Sequence, residues 1–263
     1  MTFELYSLII IISAGFASGL LVGFASGTAG LIMLPVLTIF LKNKIHISIG
    51  TSLIIDFFIG GVAGTIFYLK NNVKIKESAI LLICSIIGAF IGSQFTSFAP
   101  EKWLLLFTSI SLMFFGINFL VNGIQKNVDF INSKFKFKII KNNIKIASIF
   151  AGLIIGFVSG FSGIGGGGFI AIILILIFGY NVRNGIGTSL IMLSLITGSG
   201  AIGQIINGNF LLDATIYVVP SACIGAFIGS NYANKVNEDL LGRLIGLIVL
   251  IMGMAVFYRM LFS

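Results

Sequence analysis

Apolar runs of about 20 residues recur along this chain from one end to the other, the length needed to cross a hydrocarbon core about 30 Å thick. Inside lipid no water is available for backbone N–H and C=O groups, so a spanning segment must satisfy them internally. Continuous apolar runs of this length read as helices. Charged residues are 9% of the 263, against roughly 25% in a soluble domain, and this excludes the soluble class. The net charge of +8 does not point to nucleic acid, because the basic residues sit between the apolar runs, where they set membrane orientation. The first run is preceded by no basic residue, only Glu4, and reads as a span and not as a removable signal peptide. Cys84 and Cys223 lie inside spans without metal-ligand spacing and read as small hydrophobes.

The chain also repeats itself. Gly50-Thr51-Ser52-Leu53-Ile54 recurs as Gly187-Thr188-Ser189-Leu190-Ile191, and Gly88-Ala89-Phe90-Ile91-Gly92-Ser93 as Gly225-Ala226-Phe227-Ile228-Gly229-Ser230, both at an offset of 137 (187 − 50 and 225 − 88). The stretch Gly23-Phe24-Ala25-Ser26-Gly27 matches Gly156-Phe157-Val158-Ser159-Gly160 at an offset of 133 (156 − 23), which predicts about four extra residues in the second half. Three regions follow: a first membrane repeat over 1–121, a basic cytoplasmic linker over 122–145 and a second repeat over 146–263. Apolar stretches fall at about 4–25, 29–41, 46–69, 77–98 and 103–121, then about 146–161, 168–180, 186–206, 211–233 and 240–262. The second of each set has only about 13 residues, which suits half of a re-entrant hairpin or a broken helix. The expected fold is all-α and polytopic, with 8–10 transmembrane segments and glycine-broken hairpins.

With the basic linker cytoplasmic and an odd number of crossings per half, twelve lysines and arginines face inward and four, Lys42, Lys44, Lys102 and Arg259, face outward. Equivalent loops then lie on opposite faces, the arrangement of inverted-topology repeats, whose solute site lies near the midplane between the halves.

The candidate site is at the glycine breaks. Four consecutive glycines, Gly165 to Gly168, do not favour a continuous helix, each costing about 1 kcal/mol relative to Ala. An unwound backbone at that depth must be buried by protein or line a polar cavity. The short helices after the breaks offer free N–H groups, which suit an anion. The substrate-binding candidates are Thr28, Ala29 and Gly30 in the first break, and Ser162, Gly163, Gly165, Gly166 and Gly167 in the second. Thr51, Ser52, Thr188 and Ser189 in the following spans complete them. Ser26 and Ser159 are further hydroxyl donors. The glycines spaced by four, such as Gly15, Gly19 and Gly23, read as helix-packing positions. Gln94 and Asn231 read as interhelical glue.

Asp56 is the only acidic residue well inside a predicted span and is a coupling candidate. Its counterpart is Leu193, which sets it outside the symmetric machinery, and a structural pairing with a base near Lys44–His46 is the alternative. Gly163, Gly165 and Gly168 satisfy G-x-G-x-x-G, but membrane helices flank them and position 183 is Arg, so no nucleotide is expected. His46 is the only histidine, so no metal site is expected. One embedded Asp and one edge His give no catalytic constellation, so the chain is not read as an enzyme, and no cofactor is expected.

These residues resemble the TauE/SafE family of bacterial membrane transporters. The resemblance rests on Gly156 to Gly160 with Ile164 to Gly168, Gly187-Thr188-Ser189-Leu190, Gly23 to Gly30, Leu31-Ile32-Met33-Leu34-Pro35 and Gly50 to Leu53, and spans essentially the whole chain. The first copy departs from it with Thr28-Ala29-Gly30 in place of a glycine triplet, and the second has no proline corresponding to Pro35. The resemblance implies a multi-pass protein of the bacterial plasma membrane that transports sulfite, thiosulfate, an organosulfonate or a related small anion. The alternative is a channel or a membrane subunit of a larger transport complex. No Walker A sequence is present. The expected partners are the small anion and the bilayer, with no nucleic acid and with a homo-oligomer as an open option.

Overall fold

The structure, a computed structural model, describes residues 5–122, 143–233 and 238–262. Ten α-helices carry these residues: α1 (Leu5–Ala25), α2 (Gly30–Pro35), α3 (Ile45–Leu69), α4 (Ala79–Phe98), α5 (Glu101–Asn122), α6 (Ile144–Ser162), α7 (Gly167–Leu176), α8 (Val182–Ile206), α9 (Leu212–Tyr232) and α10 (Glu238–Phe262). Among the described residues there is no strand. Six of these helices, α1, α3, α4, α6, α8 and α9, are long and apolar enough to cross a membrane. At 1.5 Å per residue the 21 residues of α1 extend about 31 Å. The polytopic all-α class therefore holds. Most of the predicted basic linker, residues 123–142, lies outside the described residues.

One correction concerns the register of the repeat. The glycine breaks follow the same 137-residue offset as everything else, with no four-residue insertion. Among the described residues three non-glycine positions have positive φ, Ser26 at 52°, Lys42 at 52° and Asn71 at 57°. Each has a glycine 137 positions later, Gly163 at 69°, Gly179 at 71° and Gly208 at 70°. The backbone adopts the left-handed conformation at the same three corners of each half, and glycine takes it without a Cβ penalty. The match at 133 arises because glycines recur every four residues on these helices, so a one-turn slip aligns them almost as well.

Those glycines are where helices touch. A Cβ on Gly19 of α1 would strike the Ala222 carbonyl of α9, and one on Gly156 of α6 would strike the Ser85 carbonyl of α4. Both pairs are related by 137 (156 − 19 and 222 − 85). Backbones this close gain dispersion contacts in a medium where the hydrophobic effect gives little help. α3 lies against its own counterpart α8, with the two running antiparallel. Near one end Gly50 meets the Asn209 carbonyl, in the middle Ser194 Oγ donates to Phe57 O at 2.7 Å, and at the other end Gly187 meets the Asn72 carbonyl. α5 and α10 also pack as counterparts, through Gly116 against Leu250 and Gly253 against Met113.

The two short helices differ. α7 runs as regular α-helix, whereas α2 passes at Pro35 into a π turn, Val36–Phe40, closed by Leu41 N donating to Val36 O. Proline has no N–H to give and its ring crowds the preceding turn. Ile172 at the corresponding place in α7 has neither effect. The polar residues read as glue act in matching ways. Asn207 Nδ2 donates to Gln94 Oε1 at 3.2 Å, and Lys70 Nζ donates to Asn231 Oδ1 at 3.2 Å; Asn207 is the repeat counterpart of Lys70 (207 − 70 = 137).

Candidate functional site

The two breaks lie against each other in the middle of the bundle. α1 ends at Ala25 and the chain turns at Ser26; α6 ends at Ser162 and turns at Gly163, whose N–H donates to Ser159 O at 3.0 Å. Gly30 sits directly on the Gly163 carbonyl. Reciprocally, a Cβ on Gly167 would lie 2.8 Å from Ser26 O and 2.9 Å from Gly27 O. No side chain fits at either contact without moving backbone. This explains why glycine stands at 30 and 167 specifically.

Hydroxyls from α3 and α8 fasten the breaks. Ser52 Oγ donates to Gly163 O at 3.0 Å, and Ser189 Oγ lies 2.6 Å from Ser26 Oγ. Ser189 corresponds to Ser52 and Ser26 to Gly163, so the counterparts meet in both halves, but the partner is the backbone carbonyl at Gly163 and the side-chain hydroxyl at Ser26. Thr28 joins the breaks directly: its Oγ1 accepts Gly165 N–H at 2.9 Å and Gly30 N–H at 3.2 Å. The same hydroxyl donates to Asp56 Oδ2 at 2.5 Å, and Asp56 Oδ1 accepts Ala29 N–H at 2.6 Å.

Asp56 therefore lies at the centre of the site, where sequence symmetry alone had set it apart. The alternative pairing with a base near Lys44–His46 does not occur, for His46 Nε2 pairs with Ala99 O at 3.0 Å. Asp56 is fully buried, and among the described residues no charged side chain lies near enough to act on it. Its counterpart Leu193 faces it across Gly165, where a Cβ would lie 2.7 Å from Leu193 Cδ1 and 2.8 Å from Asp56 Oδ2. One half thus contributes a carboxylate and the other a hydrocarbon at the same point. A second unit anion brought within about 4 Å of the ionised carboxylate would meet about 4 kcal/mol of repulsion at an effective dielectric constant of 20.

Not all the sequence candidates reach this centre. Thr51 Oγ1 accepts Leu211 N–H at 3.0 Å and donates to Ile47 O at 2.7 Å, while Thr188 Oγ1 accepts Lys74 N–H at 2.9 Å. These two threonines hold the turns that lead into α9 and α4. Ser162 Oγ bonds within its own turn, to Val158 O at 2.7 Å and from Ile164 N–H at 3.2 Å. With Gly166 it lines a largely apolar side cavity of about 480 Å³ between α5, α6 and α7. A Cβ on Gly166 would closely meet one side-chain methyl only, Ile155 Cγ2 at 2.5 Å, and no backbone atom.

The structure adds Thr96 of α4, which sequence reasoning missed. Its Oγ1 lies 3.0 Å from Phe161 O and 3.3 Å from Gly160 O at the end of α6. No spacing distinguishes it from the many span hydroxyls that bond one turn back along their own helix. Ser159 is buried with no hydrogen-bond partner for its hydroxyl among the described residues. The described residues hold no group of three or more His, Cys, Asp or Glu that could bind a metal ion.

A family model described as "Sulfite exporter TauE/SafE" matches residues 11–256. The chain is 26% identical over 256 residues to the probable membrane transporter protein YdhB of Bacillus subtilis (strain 168), covering 95% of this chain and all of that one. It is 24% identical over 277 residues to the probable membrane transporter protein YunE of the same organism, covering 98% of this chain and all of the relative. It is also 26% identical over 264 residues to a probable membrane transporter protein of Xylella fastidiosa (strain Temecula1 / ATCC 700964), covering 96% of each. No solved structure matches the chain significantly.

Proposed function

Because this chain belongs to the TauE/SafE family, we propose that it is a secondary carrier of a small anion in the bacterial plasma membrane, with its site at the paired glycine breaks. A sulfur-containing anion, such as sulfite, thiosulfate or an organosulfonate, is the substrate class. The observation that carries this reading is the meeting of the two breaks at mid-bundle. They gather the N–H groups of Ala29, Gly30 and Gly165 and the hydroxyls of Ser26, Thr28, Ser52 and Ser189 within one enclosed region. Donors with no strong cation suit an oxyanion that must be released as readily as it is bound.

Burial of the region supports a carrier over a channel. Ser26, Ser52, Asp56 and Ser189 have no exposure and Thr28 has 3%, so a solute reaches them only after a rearrangement. The antiparallel packing of α3 on α8 and of α5 on α10 supports inverted-topology repeats, which rock about a central site in alternating access. In that reading the loop at Lys70–Lys76 faces the cytoplasm and its counterpart at Asn207–Asp213 faces outward.

The purified chain in proteoliposomes tests the reading. Saturable uptake of labelled sulfite, thiosulfate or a small organosulfonate, accelerated by unlabelled anion on the opposite side, is the expected result. Flux that neither saturates nor shows counterflow would favour a channel, and no flux of any of these anions would remove the substrate class.

A further inference from the structure

We propose that Asp56 is the proton-binding group of this carrier, and that its carboxylate and the transported anion occupy the donors at the paired breaks by turns. The proposal rests on the carrier reading above.

The hydrogen bonds fit the ionised form. Asp56 Oδ1 takes the Ala29 N–H and Oδ2 takes the Thr28 hydroxyl proton. The Thr28 oxygen already accepts from Gly165 N–H and Gly30 N–H, which uses both of its lone pairs. A proton added to Oδ2 would therefore find no acceptor at Thr28. Protonation turns a filled acceptor into a donor facing a donor, and this loosens the contact that ties α3 to both breaks. It also weakens the hold of Oδ1 on the Ala29 N–H and frees the Thr28 hydroxyl for an incoming oxyanion.

Among the described residues no other titratable group is placed against Asp56. The groups placed against Asp56 are Thr28 and Ala29 from the first break and Gly165 from the second, with Leu193 of α8 across Gly165. None of these ionises. The enclosed site keeps one negative charge in either state, on Asp56 or on a bound monoanion. One proton therefore enters with each anion and leaves with it. A monoanion then crosses with no net charge, and a dianion crosses carrying one.

The test uses proteoliposomes of the full chain with an entrapped pH indicator and the membrane potential clamped. The probes are thiosulfate and a small organosulfonate, which stay ionised and carry no protons themselves. Inward anion gradients are expected to acidify vesicles containing wild type, about one proton per anion. With Asp56→Asn, any remaining anion flux is expected to carry no protons and to lose its pH dependence. Proton movement undiminished in Asp56→Asn would overturn the proposal while leaving the carrier standing. Infrared difference spectra on acidification give a readout free of transport. The carbonyl band of a buried carboxylic acid should appear in wild type and be missing from Asp56→Asn. Its absence from wild type would equally overturn the proposal. If neither anion moves at all, the substrate reading fails and the infrared titration still decides the role of Asp56.

Discussion

Thr28 carries more of the site than any other single side chain, since one hydroxyl connects Asp56, its own loop and the second break. Thr28→Val keeps the shape and removes the oxygen, leaving a buried carboxylate and two N–H groups short of partners. A buried polar group that loses its partner costs about 1–3 kcal/mol, so a clear fall in melting temperature in detergent is expected. Ser52→Ala removes one hydroxyl proton shared between Gly163 O and Ile49 O and is expected to cost about 1 kcal/mol, a smaller shift in the same measurement. Equal shifts for the two would contradict the central place given to Thr28. At this scale the sequence was legible for residue type and ambiguous for direction. Ser52 and Ser189 reach the breaks and Thr51 and Thr188 do not, though they are sequence neighbours with the same chemistry. One residue along a helix rotates a side chain by about 100°, so the choice is set by how α3 and α8 are rotated against their neighbours. Asp56 was visible as an embedded charge, but its partners are backbone and hydroxyl groups, which leave no pattern of complementary charge to read.

Among the elements, the short helices and the glycine seams were anticipated from the apolar lengths and the spacing by four. The π turn after α2 was not, although Pro35 marks it. The register of the breaks went astray because a seam with glycine every fourth residue looks nearly the same after a one-turn slip. Positive φ at Ser26, Lys42 and Asn71 resolves it, and no residue type announces that conformation in the first half. The seams make a paired prediction. Gly19→Leu and Gly156→Leu each drive a side chain into a partner helix's carbonyl, an overpacking that costs about 1–3 kcal/mol or more. Both should lower the melting temperature by similar amounts. A large effect in only one would argue that the two interfaces are not equivalent.

For the whole molecule, the repeat is what sequence read best, because duplication survives as order and spacing even where residues diverge. The proposed membrane sidedness rests on the loop charges and on the antiparallel counterparts, and single cysteines test it. In a background with Cys84 and Cys223 replaced, Asn71→Cys should react with an impermeant thiol reagent only from the cytoplasmic side, and Asn207→Cys only from the opposite side. Both positions are exposed in loops that correspond in the repeat. Labelling of both from one side would refute inversion. The claim that transport occurs at the paired breaks is tested most directly by anion counterflow through two neighbouring glycine variants. Gly165→Ala places a methyl against Asp56, Thr28 and Leu193, whereas Gly166→Ala closely meets only a side-chain methyl of Ile155, at the wall of the side cavity. With both proteins folded and reconstituted, Gly165→Ala should lose saturable flux by at least about tenfold, equivalent to about 1.4 kcal/mol, while Gly166→Ala retains most of it. Equal flux through both variants would contradict the assignment of the site to the breaks.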